Sequence, residues 1–442
     1  MPAARVLLPA ILLCTLVAQA VAPRMRLLIA LSGAALSVLA SVATRTATPG
    51  QLLADVPYGV LLILAGLGLL ATLMAEGRVF GPMAVRVARA AEARPQRVRF
   101  AFALAMYVVS GLVNNLTALV LVLPVLLVLL RTGDVRAPTV RWTLGLLLVA
   151  CNLGGAATPI GDFPAILLLA RGSMTFGAYL MRALPMTAVA LATLFAVVHF
   201  VARPERGVAD DPLARRLSLA VVGALHRGVR PQRGPLVPSV VALGAMLLAW
   251  SFLPASWGVS PDLVCWIGVC AALLARGRSG ERLLRQRFDA EPVLFLFALF
   301  VMVAAVKRAG VFEALGAQVL ALPLAPRGRL AVFLLSAGLL TGIFSAGPGM
   351  AALLDVAEAL TRELPGPAVY VGLALSVCAG SSLFLTAATS GPLAQSLVER
   401  AGLRDPQGEP VRFGFADFLP VGLVSFVVIQ TVALAWGMLS AG

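Results

Sequence analysis

Polar side chains are scarce in this sequence, and they cluster where an ion could be held. Ser110 and Asn115 stand five residues apart, flanked by Asn114 and Thr117, inside a long apolar run. Their hydroxyl and amide oxygens are hard, neutral ligands suited to Na⁺. A second cluster is Asn152-Leu-Gly-Gly-Ala-Ala-Thr-Pro-Ile-Gly-Asp162. It offers Asn152, the backbone of Gly154 and Gly155, Thr158 and the carboxylate of Asp162. An ionisable group inside an apolar span marks an ion or proton path by default. Asp162 is therefore the candidate for proton coupling, and Ser110, Asn115 and Gly155 for a Na⁺ site. Asp162 also precedes Phe163-Pro164, so capping of the next helix is a competing reading. Asn114 and Asn115 carry the same double reading, as ligands or as caps. In the second half the polar positions are Thr341, Ser345, Ser381, Ser382, Thr386, Thr389 and Ser390. Asp355 and Glu358 read as a helix end near the membrane surface.

These residues need apolar elements to hold them. Of 442 residues 60% are apolar and 12% are charged, about half the charged share of a soluble domain. Soluble, disordered and disulfide-framework classes are excluded, and the chain must be solvated by lipid. Simple spans fit Val6–Ala22, Leu27–Ala43, Pro57–Ala75, Ala178–Val201, Leu236–Leu253, Leu263–Ala275, Pro292–Val306 and Phe415–Leu439. The first is read as a membrane helix rather than a signal. The stretch Phe100–Leu130 is uncharged and would be roughly 46 Å long as one helix, against a core of about 30 Å. Arginines flank it on both sides, which predicts a re-entrant hairpin over 98–131 turning near Gly111–Asn115. A helix over 142–170, broken at 152–162, follows from Gly154-Gly155, Pro159 and Gly161. The second half predicts a hairpin over 328–361, interrupted at Ser345-Ala-Gly-Pro-Gly349, and a broken helix over 364–398.

The net charge is +15. On a soluble protein that excess would suggest nucleic acid. Here it reads as a topology ruler, because basic loops stay in the cytoplasm. No nucleic-acid partner is expected. Arg24 and Arg26, the 78–99 segment, the 203–233 linker and the 276–287 loop all fall inside. Ten crossings and two hairpins satisfy them, with both termini outside. Short motifs recur at an offset of about 230 residues, such as Val149-Ala-Cys-Asn152 with Ser376-Val-Cys-Ala379. The chain divides into a first repeat (1–201), a cytoplasmic linker (202–235) and a second repeat of inverted orientation (236–442). Inverted repeats with broken helices are the plan of an alternating-access secondary transporter. Cys14, Cys151, Cys265, Cys270 and Cys378 read as buried thiols, and His199 and His226 are isolated, so no metal centre is expected. No GxSxG, HExxH or His cluster supports an intramembrane enzyme, and a scaffold would not need polar breaks in both halves.

The motifs resemble the ion transporter superfamily, which includes divalent anion/sodium symporters, arsenite permeases and NhaD-type sodium/proton antiporters. The 152–162 segment is similar to that group's Gly-Gly…Thr-Pro-Ile-Gly break, with the Asp of the antiporter and arsenite-permease branch. Ser110-Gly-Leu-Val-Asn-Asn-Leu-Thr117 resembles the first hairpin tip, Glu291–Phe312 the apolar helix before the second hairpin, and Ala388-Thr-Ser-Gly-Pro392 the second break. Two departures stand out. Asn114 occupies the antiporters' Asp position, and the second tip lacks the Asn of a second sodium site. The resemblance implies an elevator motion, a homodimer, and Na⁺ or H⁺ as the coupling ion with no organic cofactor. The expectation is an all-α inner-membrane transporter of a small inorganic or organic anion, with cation/proton antiport of the NhaD type as the alternative.

Overall fold

The computed structural model describes the chain except residues 1, 23–24, 79, 114, 133–135, 203–211, 226–230, 254–256, 345, 389, 406 and 442. The described secondary structure is helical apart from one isolated bridge between Arg404 and Pro410. In chain order the first helices are α1 (Pro2–Val21), α2 (Arg26–Ala43), α3 (Pro49–Ala54), α4 (Tyr58–Glu76) and α5 (Phe80–Ala90). They are followed by α6 (Pro95–Ser110), α7 (Asn115–Thr132), α8 (Ala137–Ala157), α9 (Phe163–Ala170), α10 (Phe176–Val197) and α11 (Pro212–Leu225). Next come α12 (Arg233–Phe252), α13 (Pro261–Leu274), α14 (Arg278–Arg287), α15 (Glu291–Arg308) and α16 (Val311–Leu320). The last are α17 (Pro326–Phe344), α18 (Ala346–Leu360), α19 (Gly366–Ser381), α20 (Ser390–Ala401) and α21 (Phe415–Ser440).

The helices before and after α11 follow one order. Each set has a packed pair, a short helix, a span, a second short helix, a hairpin, a broken helix and a final span. The packing follows the order too: α6 lies on α8 as α17 lies on α19. The sets also interlock. The α1–α2 pair packs on α15, whereas α12–α13 packs on α4. The second piece of each broken helix packs on the other set's hairpin, α20 on α7 and α9 on α18.

Ion pairs sort the helix ends onto two faces. Arg26–Glu291, Arg276–Glu76 and Arg141–Asp417 share one face. Arg308–Asp55, Lys307–Asp355, Arg171–Asp355 and Arg329–Glu363 share the other. Asp55, just before α4, pairs with Arg308 at the end of α15 at 2.6 Å, so α4 and α15 run in opposite directions. A charge left alone at bilayer depth is costly, which is why these pairs gather at helix ends.

The structure corrects three details. The first break spans only 158–162, because α8 runs unbroken through Gly154 and Gly155 to Ala157. Those glycines serve close packing instead of unwinding. The second tip is tighter than expected, since Ala346–Met350 already form the first turn of α18. Among the described residues, six helices qualify as spans by length and apolarity, or up to eight if each of two bent pairs counts as one. The ten crossings expected include broken segments whose pieces, such as α19 and α20, are individually short. Finally, Cys14 is exposed on α1 and Cys270 is partly exposed, while the other three thiols are buried.

Candidate functional site

The first tip is built by a stop in α6 and a restart at Asn115. Gly111 caps α6, and the turn brings the buried Ser110 hydroxyl against Asn115 Oδ1. The same hydroxyl lies 2.7 Å from the Cys151 carbonyl on α8 and donates its proton to either oxygen. The Asn115 side chain also faces Asp162, the two meeting over Gly155. A polar chain therefore runs from tip to break. Gly155 makes room for it: a Cβ there would stand 2.6 Å from Asn115 Oδ1 and 2.8 Å from Asp162 Cβ. Gly154 likewise lets α8 meet the Tyr107 carbonyl of α6. Thr158 binds tip to break, donating to the Gly111 carbonyl at 2.7 Å.

Asp162 is the N-cap of α9, in extended backbone, and its Oδ1 accepts from Phe163 N at 2.8 Å. Capping is thus real, and it does not remove the group from the site, because Asp162 also lines a cavity between the two halves. That cavity has a volume of about 120 Å³. Space for one water needs roughly 10–15 Å³ on the same measure, so a small ion with part of its hydration fits. Four helix N-termini meet there. Asn115 and Leu116 of α7, Asp162 and Phe163 of α9, Ala346 and Gly347 of α18, and Ala387 and Ala388 just before α20 all line it. A helix N-terminus carries unpaired amides and about half a positive charge; at α9 the Phe163 amide is already taken by Asp162, and Pro164 has none to offer.

A second cavity of about 130 Å³ shares Leu64, Leu116 and Pro292 with the first and continues to Arg287 and Asp289. The two cavities lie side by side, and Arg26, at the start of α2, lines the first. Toward the face opposite Arg26 α9 and α18 pack on each other and end at the Arg171–Asp355–Lys307 cluster.

The expected residues separate clearly. Ser110, Asn115, Gly155 and Asp162 are brought together, and Ser381 joins them from the other half, lining the cavity. Asn152 ties the two breaks together, its Nδ2 donating to the Ser381 carbonyl and to Ser382 Oγ, both at 3.2 Å, while its buried Oδ1 has no hydrogen-bond partner among the described residues. Thr341 is satisfied by its own helix through the Ala337 carbonyl at 2.7 Å, and it seats α17 against Gly380 and Gly349. Thr117 lines the outer cavity. Thr386 is exposed, next to the lining residues Ala387 and Ala388. Ser390 is buried at the start of α20, with no hydrogen-bond partner for its hydroxyl among the described residues. Asn114, Ser345 and Thr389 lie outside the described residues. Sequence reasoning uses Arg26 only as a charge marker and passes over Phe295, yet both line the cavity. No local signal joins Arg26 to Glu291, which are 265 positions apart.

Comparison with known proteins agrees with this architecture. Residues 13–256 and 245–441 match the family described as citrate transporter. The chain is 28% identical to the magnetosome protein MamN of Magnetospirillum gryphiswaldense, over 92% of this chain and 93% of that one. It is 29% identical to an uncharacterised transporter of Mycobacterium tuberculosis, over 79% of this chain and 80% of the relative. Its fold resembles the crystal structure of the YdaH transporter of Alcanivorax borkumensis. That match has a TM-score of 0.53 at 16% identity and covers 88% of this chain and 86% of that one.

Proposed function

This chain belongs to the citrate transporter family and is a multi-pass membrane transporter; on that premise we propose that it moves a small anion, coupled to Na⁺ or H⁺, by alternating access. One observation carries the reading: four helix N-termini line a single cavity. Their dipole ends supply a positive field from backbone alone, which at α9 is partly taken up by the Asp162 cap. The second element is Asp162 in the same cavity. An ionised carboxylate about 5 Å from a bound anion repels it by roughly 3 kcal/mol at an effective dielectric of about 20. A proton or Na⁺ on Asp162 removes that repulsion, so cation and anion bind together better than either binds alone. Asn115 and Ser110 add neutral oxygens next to the carboxylate.

In this reading the structure is the state open to the Arg26 face, which the arginine-rich loops assign to the cytoplasm. Both termini then lie outside, in an inner membrane. The hairpins and broken helices carry the site, and α1–α2, α4, α12–α13 and α15 form the frame. The resemblance adds a homodimer and an elevator motion.

The second reading is cation/proton antiport, favoured by Asp162 as the one carboxylate lining the cavity among the described residues. Proteoliposomes loaded with a pH-sensitive dye separate the two. Labelled citrate accumulating under an imposed Na⁺ or H⁺ gradient supports anion transport. Na⁺ that collapses a pH gradient in the absence of any transported anion supports antiport instead.

A further inference from the structure

The cavity has two charged lining residues among those described, Asp162 within and Arg26 at the mouth. Arg26 is the first residue of α2, so it belongs to the frame rather than to a tip or break. Its Nε and Nη2 both donate to one oxygen, Glu291 Oε1, at 3.0 Å. That is a looser engagement than a two-oxygen fork. The pair faces water, with side chains 31% and 47% exposed, and such pairs hold weakly. The guanidinium carbon sits 5.8 Å from the centre of the Phe295 ring, and that ring also lines the cavity. The aromatic face keeps the cation oriented when its acidic partner leaves.

We propose that Arg26 is the anion-selecting residue of the entry path, exchanging Glu291 for an oxyanion on its way to the four helix N-termini. Glu291 holds the guanidinium at the mouth and occupies it until a competing oxyanion arrives. The planar fork of Arg26 suits carboxylate, phosphate and sulfate groups, whose two oxygens it meets together. A neutral solute or a bare cation gains nothing from it. The assignment depends on the anion reading above and adds the residue that discriminates.

The test uses full-length protein in proteoliposomes, with citrate, succinate, phosphate and sulfate as labelled probes. Arg26→Gln should raise the half-saturating concentration of the transported anion at least tenfold, with maximal rate within about twofold of wild type. Arg26→Lys should fall between, since it keeps charge without the fork. Glu291→Gln should lower half-saturation several-fold, a gain that misfolding cannot produce. The double variant should behave like Arg26→Gln. If wild type transports an anion and Arg26→Gln leaves its half-saturation unchanged, the role of Arg26 is overturned and the anion reading stands. If wild type takes up none of the four under either gradient, both fall.

Discussion

Asp355 of α18 holds Arg171, the residue that ends α9, at 2.8 Å, and so joins a hairpin arm of one half to a broken helix of the other. Lys307 at the end of α15 donates to the same oxygen at 2.9 Å. Asp355 is only 11% exposed, so two cations share one oxygen of a largely buried carboxylate. The cluster lies on the face opposite Arg26, where the alternating-access reading proposed above places the closed side.

Removing that closure should favour the other access state. Asp355→Asn is expected to weaken the contact by about 1–2 kcal/mol, between exposed and buried pair values. With native thiols replaced, a cysteine at Gly347 should react faster with an impermeant maleimide added from the Asp355 face. An unchanged rate would show that the cluster does not gate.

Asp162→Asn keeps the cap oxygen but cannot take up a proton in exchange for charge. Gradient-driven uptake should drop at least a hundredfold, while insertion and thermal midpoint stay near wild type. Full uptake in proteoliposomes would remove Asp162 from the mechanism.

Asn115→Ala deletes the side chain that stands between Ser110 and Asp162. One lost ligand-type hydrogen bond is worth about 1.4 kcal/mol, so the Na⁺ concentration for half-maximal uptake should rise about tenfold. An unaltered Na⁺ response would count against a cation site at this tip.

Gly155→Ala forces a Cβ to within 2.6 Å of Asn115 Oδ1. Overpacking of this kind costs about 1–3 kcal/mol. Thermal stability should fall and ion dependence should change with it. Gly172→Ala, where nothing lies within 4 Å of the added carbon but φ is +69°, should lose stability without touching ion dependence.

Topology has its own check. Cysteines placed at Gly77 and Gly310 should label from opposite sides, Gly77 from the cytoplasm. Labelling from one side would break the antiparallel arrangement of α4 and α15 that Asp55 and Arg308 report.

Much of this architecture is legible in the sequence, and for identifiable reasons. Phe100–Leu130 is too long for one crossing and has arginines at both ends, so the hairpin formed by α6 and α7 could be placed from charge and length alone. Asp162 is conspicuous because nothing else charged lies near it in the chain. Gly154 and Gly155 mislead, because a glycine that loosens a helix and one that admits a neighbour are the same letter. Tyr107 and Asn115 decide between the two, and they approach only in three dimensions. Asn152 looks like a ligand for the same reason: its partners Ser381 and Ser382 lie on the opposite half. Arg26 is missed because loop charge explains it sufficiently until the cavity beneath it is seen.

The four helix N-termini around the cavity have an evolutionary consequence. Amide groups belong to every residue but proline, so almost no point substitution can delete the attraction they exert. On the anion reading proposed above, the lining side chains other than Arg26, Asn115 and Asp162 can vary without removing that backbone field, and substrate preference can drift while the framework persists. Insertions or deletions that rotate one terminus away would be the damaging changes. Tolerance to substitution combined with intolerance to length change at residues 111–116, 158–163, 346–347 and 387–390 would be the genetic signature of a site written in backbone.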